Sequence, residues 1–121
     1  MEKVIGFGGV FFRSKDPAAL AAWYDTHLGI AQVPQDFDSQ PWTPEGGPTV
    51  FAPFPADTDY FGDPAQAFML NFRVSDMDAM LAQLRAAGIE VTESDPMPIG
   101  RFARLQDPEG NPIELWEPKA P

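Results

Sequence analysis

The chain has 121 residues, enough to bury a core as one domain without staples, and it lacks cysteine, which excludes disulfides, thiolate metal sites and cysteine nucleophiles. Eighteen acidic against eight basic residues give a net charge of −10, which excludes recognition of a nucleic-acid backbone or an anionic membrane surface by charge neutralisation. The amino-terminal stretch has no signal-peptide pattern and no apolar run is long enough to span a membrane, so the expectation is a soluble protein of the reducing cytoplasm.

Residues 4–14 combine Val, Ile and three Phe with three glycines and read as a strand, with Phe7, Gly9, Phe11 and Arg13 on one face. Asp16-Pro17 then opens a helix, Asp16 as N-cap and Pro17 at the first helical position. Leu20, Trp23, Tyr24 and Leu28 form its apolar stripe, and Gly29 is its natural stop. His27, the single histidine, falls in the last turn, where a surface or capping role favoured by the helix dipole is the expectation.

Prolines at 34, 41, 44, 48, 53, 55 and 64 break the next stretch into short edge strands and loops, with residues 49–54 the best strand among them. Residues 55–64, which include Asp57, Asp59, Tyr60 and Phe61, read as a connection between two halves. No Lys or Arg stands between Lys15 and Arg73.

Residues 67–74 are again strand-like, with Phe68, Leu70, Phe72 and Val74 on one face and Met69, Asn71 and Arg73 on the other. A second helix starts at Ser75 or Asp76, buries Met77, Met80, Leu81 and Leu84, and stops at Gly88. Short strands at 91–92 and 101–106 precede the closing stretch. In that stretch Asp107-Pro108-Glu109-Gly110-Asn111 is turn chemistry, and from Ile113 the side chains alternate, so Glu114 and Trp116 share one face.

A shift of 60 residues lays Phe12-Arg13 on Phe72-Arg73 and Asp16 on Asp76, and one gap later Gly29 meets Gly88. The chain therefore repeats a unit of strand, helix and short strands, neither copy of which buries its sheet face alone. Module one runs from about 1 to 58 and module two from about 65 to 119, within a single domain over 1–121.

These elements, together with Asp107-Pro108-Glu109-Gly110-Asn111 followed by Ile113-Glu114-Leu115, resemble the vicinal oxygen chelate superfamily, which includes glyoxalase I, bleomycin resistance proteins and extradiol dioxygenases. The resemblance implies an α+β fold: two βαβββ modules forming an open, curved mixed sheet, a half-barrel with helices on its outer face, usually completed in a homodimer. Metal enzymes of the superfamily place ligands on the first and last strand of each module. Carried onto this chain, those positions are Gly9, Phe51 or Phe54, Met69 and Glu114. Glycine and phenylalanine offer no ligand atom and a thioether is poorly suited to a hard cation, so Glu114 is the vestige of a metal set and no metal or other cofactor is expected.

Glu114 has two readings: a cavity carboxylate that orients a ligand or acts as a base, or a carboxylate paired with Arg73 or Arg104. Arg13 and Arg73 occupy equivalent places, and Arg104 shares the face of Phe102. Phe7, Phe11, Met69, Asn71, Arg73, Phe102, Arg104 and Trp116 are the candidate ligand-binding residues, making a pocket lined by aromatic and soft side chains. Trp42, Tyr60 and Phe61 lie in loops able to cover such a pocket. No Walker or Rossmann glycine loop and no Ser-His-Asp arrangement is present.

The resulting expectation is a metal-independent protein of the glyoxalase/bleomycin resistance type that binds or sequesters a small, partly apolar molecule. The alternatives are a divergent lyase or isomerase using Glu114 as base or as ligand of an incomplete metal site, and a protein-interaction module without a ligand-sized pocket.

Overall fold

The structure, a computed structural model, describes residues 1–120. Two helices and one mixed sheet make up its regular part: α1 (Pro17–Leu28), β1 (Leu70–Arg73), α2 (Met77–Ala86), β2 (Thr92–Glu93), β3 (Gly100–Gln106) and β4 (Pro112–Pro118). The class is α+β and the sheet is open, in the spatial order β1-β4-β3-β2. β4 runs parallel to β1 and antiparallel to β3, which pairs antiparallel with β2. The second half of the chain thus supplies a complete βαβββ unit.

Both helices begin as their sequences require. The Asp16 side chain accepts from the Ala19 amide at 3.1 Å and the Asp76 side chain from the Ala79 amide at 3.0 Å, satisfying helix-start N–H groups that have no intrahelical partner. Gly29, at φ 72°, closes α1 in the left-handed region. Leu20 and Tyr24 from α1 and Met77, Leu81 and Leu84 from α2 pack with Ala103, Leu105, Ile113 and Leu115 of the sheet. Both helices therefore cover one sheet face, and β4 carries alternate residues to that face because strand side chains point to opposite sides in turn.

The first half departs from the strand expectations. Residues 4–14 and 49–54 form no regular strand, and no backbone hydrogen bond joins residues 1–13 to the sheet. Alternation and β-branched residues favour an extended chain, but a strand also needs a partner to fill its N–H and C=O groups, and none pairs with these segments among the described residues. Aromatic contacts link these segments: Phe7 lies 6.0 Å from Phe51 and Phe12 5.7 Å from Phe68, centroid to centroid.

Candidate functional site

The sheet face away from the helices is built by the other half of the alternation. In the register, Glu114 stands between Asn71 on β1 and Arg104 on β3, and Trp116 stands between Arg73 and Phe102. Cross-strand neighbours lie within side-chain reach, so these six residues form two adjacent rows. The lower row is polar and the upper row aromatic and cationic.

Glu114 is only 8% exposed, and a carboxylate so far from water needs donors. It has two. The Asn71 amide donates from Nδ2 to Oε1 at 2.8 Å, and the Tyr60 hydroxyl donates to Oε2. Tyr60 arrives on the segment 55–64, which crosses this face. Its ring stacks on Phe54 at 5.6 Å, and the Arg104 guanidinium lies 4.6 Å from the ring centroid while donating to the Tyr60 carbonyl at 2.7 Å. Burial, and then the hydrogen bond to Glu114, raise the Tyr60 pKa, so its hydroxyl keeps the proton that it donates.

In the neighbouring row Trp116 lies flat on Phe102, with centroids 6.0 Å apart and planes within 2°. The indole N–H donates to the Ile99 carbonyl at 3.0 Å, which fixes the ring in its plane. Arg73 is held by a second loop, donating to the carbonyls of Pro48 and Glu45 at 2.7 Å each and to the Thr49 hydroxyl at 3.1 Å. The two arginines weighed as partners of Glu114 are therefore engaged elsewhere, Arg73 by loop carbonyls and Arg104 by Tyr60.

Asn71, Arg73, Phe102, Arg104, Glu114 and Trp116 thus come together as their alternation implies. Met69 is half-buried and lines a cleft of about 490 Å3 with Phe54, Phe61 and Phe68, to which none of those six contributes. Phe7 and Phe11 do not join the site: they are exposed on the irregular amino-terminal segment, whose missing ladder leaves nothing to press them onto the sheet. Tyr60, which sequence reasoning placed only in a covering loop, is the direct partner of Glu114. A second cleft, of about 500 Å3, lies at the end of the sheet next beyond Trp116, among Met97, Gly100, Arg101, Glu117 and Lys119.

The donor set does not fit a divalent cation. Around Glu114 stand an amide N–H and a phenol O–H, Gly9 and Phe51 lie on irregular segments, and the His27 ring rests on Trp23 at 5.4 Å in the last turn of α1. Among the described residues no three His, Asp or Glu side chains converge as a metal site.

The other buried carboxylate organises the turn beneath this face. Asp107 accepts from the amides of Glu109 and Asn111 at 2.9 and 3.0 Å, from the Asn111 side chain at 2.7 Å and from the Tyr24 hydroxyl at 2.7 Å. Glu109 in turn accepts from the Ser14 hydroxyl at 2.7 Å and the Lys15 amide at 2.8 Å, anchoring the chain as it enters α1. The closing turn thus holds both the first helix and the strand that carries Glu114.

The family model for a glyoxalase-like domain matches residues 9–116. Among solved structures, TnmS3, an antibiotic binding protein from Streptomyces sp. CB03234, is 27% identical over 87% of this chain and 88% of its own, with a TM-score of 0.58. A putative glyoxalase family protein from Bacillus anthracis is 24% identical over 84% of each chain with a TM-score of 0.56, a likeness of fold alone. No curated protein sequence matches the chain. No helix is long and apolar enough to cross a membrane among the described residues. With a family model spanning both halves and the closing turn, the chain belongs to the glyoxalase-like domain family of the vicinal oxygen chelate superfamily.

Proposed function

We propose that the protein binds a small, partly apolar molecule on the helix-free sheet face, without a metal, and that Glu114 orients the ligand. One observation carries this reading: a buried carboxylate and a flat Trp116–Phe102 aromatic stack sit side by side on a face that loops, not helices, cover. An apolar surface with a few fixed polar groups is the usual composition of a ligand pocket. The antibiotic-binding neighbour supports a binding role over turnover. Glu114 already accepts hydrogen bonds at both oxygens, an arrangement suited to holding a donor in a set direction.

The acting unit is proposed to be a cytoplasmic homodimer. Ile5 and Phe11 are 98% and 97% exposed in a single copy, and large apolar groups on unpaired, extended chain are a surface that a second copy would cover.

Native mass spectrometry of metal-stripped protein mixed with a panel of aromatic antibiotics tests both parts. The expected result is a dimer that retains one class of compound in the presence of chelator and loses it in Trp116→Ala. Binding that requires added divalent metal would count against the metal-independent reading, and no retained compound would count against ligand binding altogether.

A further inference from the structure

Tyr60 is bound as a ligand would be. Its ring has an aromatic neighbour on Phe54 and a cation over it on Arg104, and its hydroxyl points at the one buried acceptor on the face. The segment that carries it folds on its own short turns, Thr58 N–H to Pro55 C=O at 3.0 Å and Gly62 N–H to Asp59 C=O at 3.1 Å, its residues are mostly exposed, and its polar ties to the sheet all run through Tyr60, to Glu114 and Arg104. Segments with few buried contacts open at low free-energy cost. The groups around Tyr60 therefore match a phenol, an acceptor for its hydroxyl and a ring and a cation for its faces, and with Tyr60 itself 40% exposed the segment that brings it lies over the face and not inside the core.

We propose that Tyr60 is an internal stand-in for the ligand, and that the ligand is a neutral planar aromatic whose phenolic hydroxyl donates to Glu114 after residues 55–64 lift away. This rests on the binding role proposed above and names the class of compound. Three features of the slot select that class. Glu114 accepts, so the ligand must bring a proton. Arg104 faces a ring plane, which favours an electron-rich aromatic. The net charge of −10, with Asp57, Asp59 and Asp63 on the covering segment, disfavours carboxylates and phosphates.

Because the tyrosine competes with the ligand, the apparent affinity is the affinity of the open form multiplied by the fraction of molecules that are open. If the slot is open a tenth of the time, removing Tyr60 tightens binding about tenfold. The test is calorimetric titration of the full-length protein, wild type, Tyr60→Ala and Tyr60→Phe, with 2-naphthol, 2-methoxynaphthalene and 2-naphthoate. Circular dichroism checks that each variant is folded.

The expected result is 2-naphthol binding that strengthens about tenfold in Tyr60→Ala, with the ether and the carboxylate at least about tenfold weaker. Tyr60→Phe, which keeps the ring but loses the donor, should also bind 2-naphthol more tightly than wild type, so the proposal stays testable if the alanine variant does not fold. Equal binding of 2-naphthol and its methyl ether would overturn the phenol assignment while leaving a ligand site in place. Weaker 2-naphthol binding in both variants would make Tyr60 part of the site and overturn the stand-in. No binding of any of the three to a folded variant would overturn this proposal, and the antibiotic panel above would then decide separately whether the face binds anything.

Discussion

The Tyr60 hydroxyl donates to Glu114 across 54 residues of sequence, and the chain's other tyrosine, Tyr24, donates to Asp107 at 2.7 Å. Asp107 and Glu114 are its two buried acidic residues, at 4% and 8% exposure. Each pairing ties part of the first half to the closing hairpin, one from the helix side of the sheet and one from the open face.

These pairings set the alkaline behaviour. Both tyrosine pKa values are raised, first by burial and then by the neighbouring carboxylate, so the folded state favours the protonated phenols. Their contribution to stability is therefore complete below the ordinary tyrosine value of about 10 and is lost as pH rises through the raised ones. Absorbance at 295 nm should show no tyrosinate step near pH 10, and ionisation should begin higher, together with loss of structure. A reversible step of one tyrosine near pH 10 would mean that the Tyr60 contact does not form.

Tyr24→Phe removes one donor from a buried carboxylate while leaving the ring among its neighbours. Hydrogen bonds to charged groups contribute about 1.5–3 kcal/mol, and the loss should fall in that range by urea unfolding. Asp107→Ala should cost more, because it frees the donors of Glu109, Asn111 and Tyr24 at once.

Glu109 gives the acid counterpart. Its pKa is lowered, first by the Lys15 amide and then by the Ser14 hydroxyl, so the staple is intact above the ordinary carboxylate range and is lost as pH falls through the depressed value. Hydrogen exchange at Lys15 and Asp16 should be slow near neutrality and lose its protection on acidification. In Glu109→Gln the protection should be weaker and independent of pH in that window.

Gly100 is required where β3 begins. At φ 138° an added Cβ would stand 2.2 Å from the Glu117 carbonyl oxygen and 2.9 Å from Trp116 Nε1. Gly100→Ala should destabilise by on the order of 3 kcal/mol and shift the indole, read as a lower melting temperature with altered tryptophan fluorescence.

Much of this was legible in local chemistry. Asp16-Pro17 and Asp76 mark helix starts because a cap needs only its own next three residues, and Gly110 in the closing turn declares itself through φ 84°. Strand alternation was enough to pair Asn71 with Arg73, Phe102 with Arg104 and Glu114 with Trp116, and the register then sets the three pairs on one face. The Tyr60–Glu114 contact was not legible, since a partner 54 residues away along a proline-broken segment leaves no periodic trace. For Phe7 and Phe11 alternation records a preference for extended chain and says nothing of where the ladder partner comes from.

The claim that the helix-free face receives the ligand is tested most directly by two-dimensional 15N NMR during titration with 2-naphthol or with a compound retained from the antibiotic panel. The indole N–H of Trp116 is one of three in the chain and lies on that face. This signal and the Arg104 and Asn71 side-chain signals should shift together and saturate. Saturating shifts confined to the cleft of Met97, Arg101 and Lys119, with the Asn71 and Arg104 side chains unmoved, would contradict it.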